Sequence, residues 1–101
     1  MKYYKPFNME GVEMKRYLVT IREIKNGKVM ANINREMINY CDADDLLSRK
    51  RHCAHEELMN ERDRHERIVI RYQFNCVYGY EFVHMSIPNH SFTFTLVEAD
   101  V

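Results

Sequence analysis

The stretch DADDLLSRKRHCAHEELMNERDRHER, Asp42 to Arg67, decides the fold. It contains no glycine or proline and is dominated by good helix formers, so it is predicted to be one long helix. Ala43, Leu46, Leu47, Ala54 and Leu58 recur at spacings of three, four and seven, which draws one apolar stripe. Lys50 falls on the same side and keeps the stripe narrow. Asp42 or Asp44 is the expected N-cap, because a short side-chain oxygen can accept from the orphan backbone N–H groups there. Asp45–Arg49 and Asp63–Arg67 are acid-first i,i+4 pairs, each adding about 0.2–0.5 kcal/mol when exposed. The basic residues at the far end suit the helix dipole.

The opposite face carries Arg49, Arg51, His52, His55, Glu56 and Arg62, with both signs of charge. A mixed face of this kind is either plain solvated surface or a docking surface for a complementary partner. These six residues are the expected partner contacts. The basic run Arg49–His52 is also able to touch phosphates, but Glu56, Glu57 and Glu61 follow at once.

Outward from the helix, every periodic segment alternates with period two and predicts strands. Residues 15–24 place Tyr17, Val19 and Ile21 on one side. Asn26-Gly27 then supplies the two positive-φ positions of a tight hairpin turn. A second strand begins at Val29, with Val29, Ala31 and Ile33 on one face. It either runs to Tyr40 with an irregularity near Asn34 or Arg35, or gives way there to a helical lead-in. After the helix, Ile68, Ile70, Tyr72, Phe74 and Cys76 share one face of a strand. Tyr78-Gly79 makes a turn, residues 80–87 form a strand, and Pro88-Asn89 makes another turn. Phe92, Phe94 and Leu96 alternate in a last strand, followed by a short tail from Glu98. The expected architecture is α+β, a largely antiparallel sheet in ββαβββ order with one long helix on one face. Residues 1–13 are read as an N-terminal arm and residues 14–101 as a single domain. Tyr78, Tyr80, Phe82 and the arm's aromatics are too many for one solvent patch, which favours cover by the arm or a homodimer.

Composition narrows the function classes. The chain has 101 residues, 46% of them hydrophobic and 30% charged, with net charge +0. Neutrality argues against generic nucleic-acid binding, which shows a basic excess. No apolar run approaches the roughly 18 residues that a membrane span needs. Three dispersed cysteines, Cys41, Cys53 and Cys76, fit free, mostly buried thiols in the cytoplasm better than a disulfide framework.

Chemical signatures are sparse. His52 and His55 stand at i,i+3, but no second close pair completes a structural zinc site, so no metal or other cofactor is expected. The pattern H-E-x-x-H fails because Met59 stands where the second histidine belongs. Cys53 and His52 point about 100° apart on a helix and do not meet as nucleophile and base. Gly11, Gly27 and Gly79 make no phosphate loop. Paired carboxylates in a cleft are not visible outside the helix surface. Tyr72, Phe74, Tyr80 and Phe82 allow a base-stacking row for RNA or single-stranded DNA, although strand aromatics usually belong to the core. The sequence therefore predicts a small cytoplasmic protein-binding module without catalytic activity, such as an inhibitor of the phage or mobile-element type. Nucleic-acid binding through the basic helix segment and the sheet aromatics is the alternative.

Overall fold

The computed structural model describes residues 15–75 and 79–100. The expected arm, Cys76 and Tyr78 lie outside these residues. The elements run β1 (Lys15–Lys25), β2 (Lys28–Met37), α1 (Tyr40–Glu61), β3 (Val69–Asn75), β4 (Tyr80–Ile87) and β5 (His90–Asp100). All pairings are antiparallel, and the sheet order is β2-β1-β5-β4-β3. The fold is thus α+β in ββαβββ order. The helix is the crossover from one sheet edge to the other.

Turn chemistry sets the hairpins. Asn26 (φ 53) and Gly27 (φ 79) both adopt the left-handed region that the tight β1–β2 turn requires. Between β4 and β5 the proline ring restrains Pro88, and Asn89 takes φ 69, the φ signature of a type II turn. The two turns touch: the Asn26 N–H donates to the Asn89 carbonyl at 2.8 Å. β2 ends at Met37 and needs no irregularity near Asn34. Its bulge lies beside the turn instead, where Met30 is the extra residue between the Glu23–Ala31 and Ile24–Val29 pairs. The last strand is longer than its aromatic alternation suggests, starting at His90 and including most of the expected tail.

The helix begins earlier and ends earlier than its composition predicts. Asn39, not Asp42 or Asp44, is the N-cap: its side chain accepts from the Asp42 N–H at 3.1 Å. At the other end Arg62 turns extended, and no basic residue stands in the last turn. The Asp63–Arg67 pair therefore falls outside the helix. The apolar stripe stops at Leu58, since Glu61, Arg62 and His65 offer nothing to bury. Glu66 then closes a competing turn. Its side chain accepts from the Asp63 N–H at 2.9 Å, and its carbonyl accepts from the Arg62 guanidinium at 2.7 Å. The spacing D-x-x-E at Asp63–Glu66 is a capping-box pattern, and it was readable in the sequence.

The stripe residues Ala43, Leu46, Leu47, Ala54 and Leu58 are all buried. They pack on Val19 and Ile21 of β1, Val83, Met85 and Ile87 of β4, and Phe92, Phe94 and Leu96 of β5. One helix, about 10 Å across, covers roughly two strands spaced about 4.8 Å apart. It runs over the middle of the sheet, and its backbone stays clear of β3. The far face of the sheet carries Thr20, Arg22, Asn32, Asn34, Thr93 and Thr95, but also exposed Leu18 and Val97 beside half-exposed Tyr80 and Phe82. A more exposed apolar surplus lies elsewhere.

Candidate functional site

That surplus lies on β3, on the side facing the helix layer. Ile70, Tyr72 and Phe74 are 52%, 59% and 53% exposed, although their alternation is the cleanest in the chain. Their cross-strand partners Met85, Val83 and Glu81 lie closer to the helix, and Met85 and Val83 are buried. β3 is one strand further out, beyond the helix's reach. The core expectation for Tyr72 and Phe74 is therefore corrected. The idea of one aromatic row is corrected too: Phe82 pairs with Gln73 and Tyr80 with Asn75, so both point to the opposite face.

The two sheet edges differ in kind. β2 carries a bulge at Met30 and the charged residues Lys28, Arg35 and Glu36, features that blunt an edge against further pairing. β3 pairs with β4 in unbroken register from Val69 to Asn75, and Arg71 is its single charge. As the terminal strand it has no neighbour on its outer side among the described residues. Its outward backbone groups are a template for strand addition.

At the Phe74 end the surface drops into a cleft of about 210 Å³, lined by Tyr17, Tyr40, Phe74, Tyr80, Leu96 and Glu98 among others. Tyr17 and Tyr40 meet edge to face, with ring centroids 5.6 Å apart. Burial, followed by the nearby Asp44 and Glu81 charges, pushes the Tyr40 hydroxyl above its usual pKa, so it stays a neutral donor.

The six helix-face residues divide in the structure. Arg49 pairs with Asp45 at 3.3 Å, and His52 with Glu56 at 3.5 Å, all four exposed. Arg51 is half-buried and braces the helix against β4 through Glu81 at 3.4 Å. His55 is half-buried, and Arg62 lies beyond the helix with its guanidinium engaged by the Glu66 carbonyl. Arg49, His52 and Glu56 thus form an open strip, and the other three do not share it. Cys41 and Cys53 are free thiols, as expected, but exposed rather than buried.

No protein-family model, curated protein or solved structure matches this chain. No helix among the described residues is long and apolar enough to cross a membrane.

A second constellation was missed by sequence reasoning. His90 is 3% exposed, yet both ring nitrogens face carboxylates: Nε2 lies 2.7 Å from Glu23 and Nδ1 2.8 Å from Glu61. Two ionised carboxylates are both satisfied when the ring is an imidazolium, which carries two N–H donors. Burial opposes that charge, but the hydrogen bonds from Glu23 and Glu61 outweigh it and raise the His90 pKa. The hydrogen bond to His90 lowers that of Glu61, helped by Lys25 at 3.2 Å. The three partners stand at positions 23, 61 and 90, on β1, α1 and β5, and no short motif joins them. The one available signal was a histidine at the strand end next to the Pro88-Asn89 turn, opposite a strand carrying Glu23 and Lys25.

Proposed function

We propose that this chain is a non-enzymatic protein-binding module that accepts an extended partner segment as an added strand on β3. The observation that carries this reading is the exposure of Ile70, Tyr72 and Phe74 on a terminal strand with no outer neighbour among the described residues. Strand addition draws affinity from backbone hydrogen bonds and specificity from pockets for alternate side chains. The outward edge offers the first, and the Tyr40 cleft beside Phe74 offers the second. The partner segment is apolar on one face, with an aromatic or aliphatic side chain for the cleft. Arg49, His52 and Glu56 supply a separate charged strip for partner contacts. An inhibitor occupying another protein's strand or edge works in this way, and exposed free thiols at Cys41 and Cys53 favour a reducing compartment such as the cytoplasm.

The test is nuclease-treated affinity capture with the native chain and with Tyr72→Lys, beside light scattering of each protein alone. Capture of a protein by the native chain that Tyr72→Lys loses, with its fold retained, supports the reading. Retention of that protein by Tyr72→Lys overturns it. A native dimer that Tyr72→Lys dissolves makes the occupant a second copy. The exposed Tyr72 and Phe74 also favour base stacking as a second reading. Recovery of nucleic acid alone, released steeply as salt rises, would establish that alternative.

A further inference from the structure

His90 does more than hold a strand end, and its surroundings have the features of a cation site. Nε2 of His90 and one carboxylate oxygen each from Glu23 and Glu57 all lie within 4.8 Å of one another. Glu23 is 2.7 Å from Nε2 and Glu57 is 3.9 Å. Ligands at about 2.0–2.2 Å from a common zinc-like ion stand about 3–3.5 Å apart, and the two observed separations bracket that spacing. Glu23 has to open slightly and Glu57 to close in, and Glu57 is the half-exposed member.

Three further features converge on the same point. The Nδ1–H of His90 is held by Glu61, the carboxylate–imidazole arrangement that orients a metal-binding histidine through its other nitrogen. Glu57 is the carboxylate of this cluster without a close partner among the described residues: His90 engages Glu23 and Glu61, and Lys25 also engages Glu61. Glu57 has no other ion pair among the described residues, and its 3.9 Å approach to Nε2 is too long for a hydrogen bond. Finally, Glu23 and Glu57 line a cleft of about 190 Å³ between β2 and the helix, beside Cys53 and Lys50, which gives a hydrated ion a way in.

We propose that Nε2 of His90 with the carboxylates of Glu23 and Glu57 binds a divalent first-row metal ion of the zinc class, with Glu61 as the outer carboxylate. Imidazole with carboxylate oxygens suits such ions, and water completes the shell on the cleft side. On binding, the metal takes the place of the Nε2 proton, which leaves to solvent. The ion ties the β1–β2 hairpin, the end of α1 and the start of β5 together.

The experiment is titration of the chelator-treated full chain with Zn²⁺ by calorimetry, and with Co²⁺ by visible absorption, alongside thermal melts. His90→Ala removes a buried side chain and is a poor probe, so the decisive variant is Glu57→Gln, which leaves the Glu23–His90–Glu61 clamp intact. One saturable site is expected, with a Co²⁺ spectrum and a metal-dependent rise in Tm. Glu57→Gln is expected to fold normally and to weaken binding at least ~10-fold, and Glu61→Gln to weaken it about 10–100-fold. His52→Ala with His55→Ala should change nothing. Absence of saturable submillimolar binding, equal affinity in Glu57→Gln, or loss of binding only in the His52/His55 variant each overturns the proposal.

Discussion

Glu61 closes the last turn of the helix onto His90 at the first residue of the last strand, Oε1 to Nδ1 at 2.8 Å. This contact fastens the helix end to the sheet just where the apolar stripe has run out. Leu58 is the last helical residue with a core to bury into. Beyond it, charge takes over from packing.

The clamp makes stability depend on pH in a definable window. The His90 pKa is raised above 6.5, so its contribution is complete below pH 6.5 and is lost as pH rises through the folded value. Glu61 is lowered below 4.5, so its contribution is present above pH 4.5 and is lost as pH falls through the folded value. The groups facing the ring are Glu23, Glu57 and Glu61, with Lys25 behind them. In chelator-treated protein, the Tm advantage of the native chain over His90→Gln should be largest between pH 4.5 and 6.5 and shrink above it. An advantage that grows above neutrality would refute the imidazolium assignment.

His84 predicts the opposite slope. Burial, then the neighbouring Arg71 charge, lowers its pKa below 6.5, while its Nδ1 sits 2.8 Å from the Thr93 hydroxyl. Below pH 6.5 the unfolded chain binds a proton that the folded chain refuses, so stability falls there. His84→Gln should therefore gain relative stability on moving from pH 7 to pH 5, as read by urea melts at both values.

The helix stripe carries the core. Leu47 is 0% exposed, and Leu47→Ala should cost about 2–5 kcal/mol. Met59, on the outer face and 44% exposed, should tolerate alanine within about 0.5 kcal/mol. Denaturant midpoints of the two variants decide this.

Capping distinguishes Asn39 from the aspartates that follow it. Asn39→Ala should lose about 1 kcal/mol, because the Asp42 N–H loses its acceptor. Asp45→Ala removes an exposed i,i+4 pair with Arg49 and should cost no more than about 0.5 kcal/mol. Equal losses would place the cap elsewhere.

The two left-handed glycines should respond unequally to alanine. Gly27 (φ +79) has open space around it, so Gly27→Ala meets backbone strain alone, about 1 kcal/mol. Gly79 (φ +59) is backed by the Glu98 side chain, which also pairs with Lys15. A new Cβ there has to displace it. Gly79→Ala should melt well below Gly27→Ala.

Much of the architecture was legible locally. The Asn26-Gly27 turn, the Tyr80–Ile87 strand, the five stripe residues and the ββαβββ order all follow from dihedral preference and periodicity. The helix stops short of Arg67, where composition alone would carry it on until something stops it. What stops it is the turn closed at Asp63–Glu66, while at the other end Asn39 caps it ahead of the aspartates. The site was less legible. Arg51 looked like an open contact but braces Glu81, and Phe74 looked like core but lines an open cleft.

The sequence by itself determined which residues share a face, because side-chain direction alternates along a strand and recurs along a helix through backbone geometry alone. Only the tertiary structure decided which strands stand at the edges, and hence that Ile70, Tyr72 and Phe74 are bare. It also decided that Glu23, Glu61 and His90 meet. Both depend on β1 pairing with β5 across most of the chain. Such long-range pairing is chosen by the free energy of the whole sheet against the entropy of closing the loop, and no local pattern encodes it.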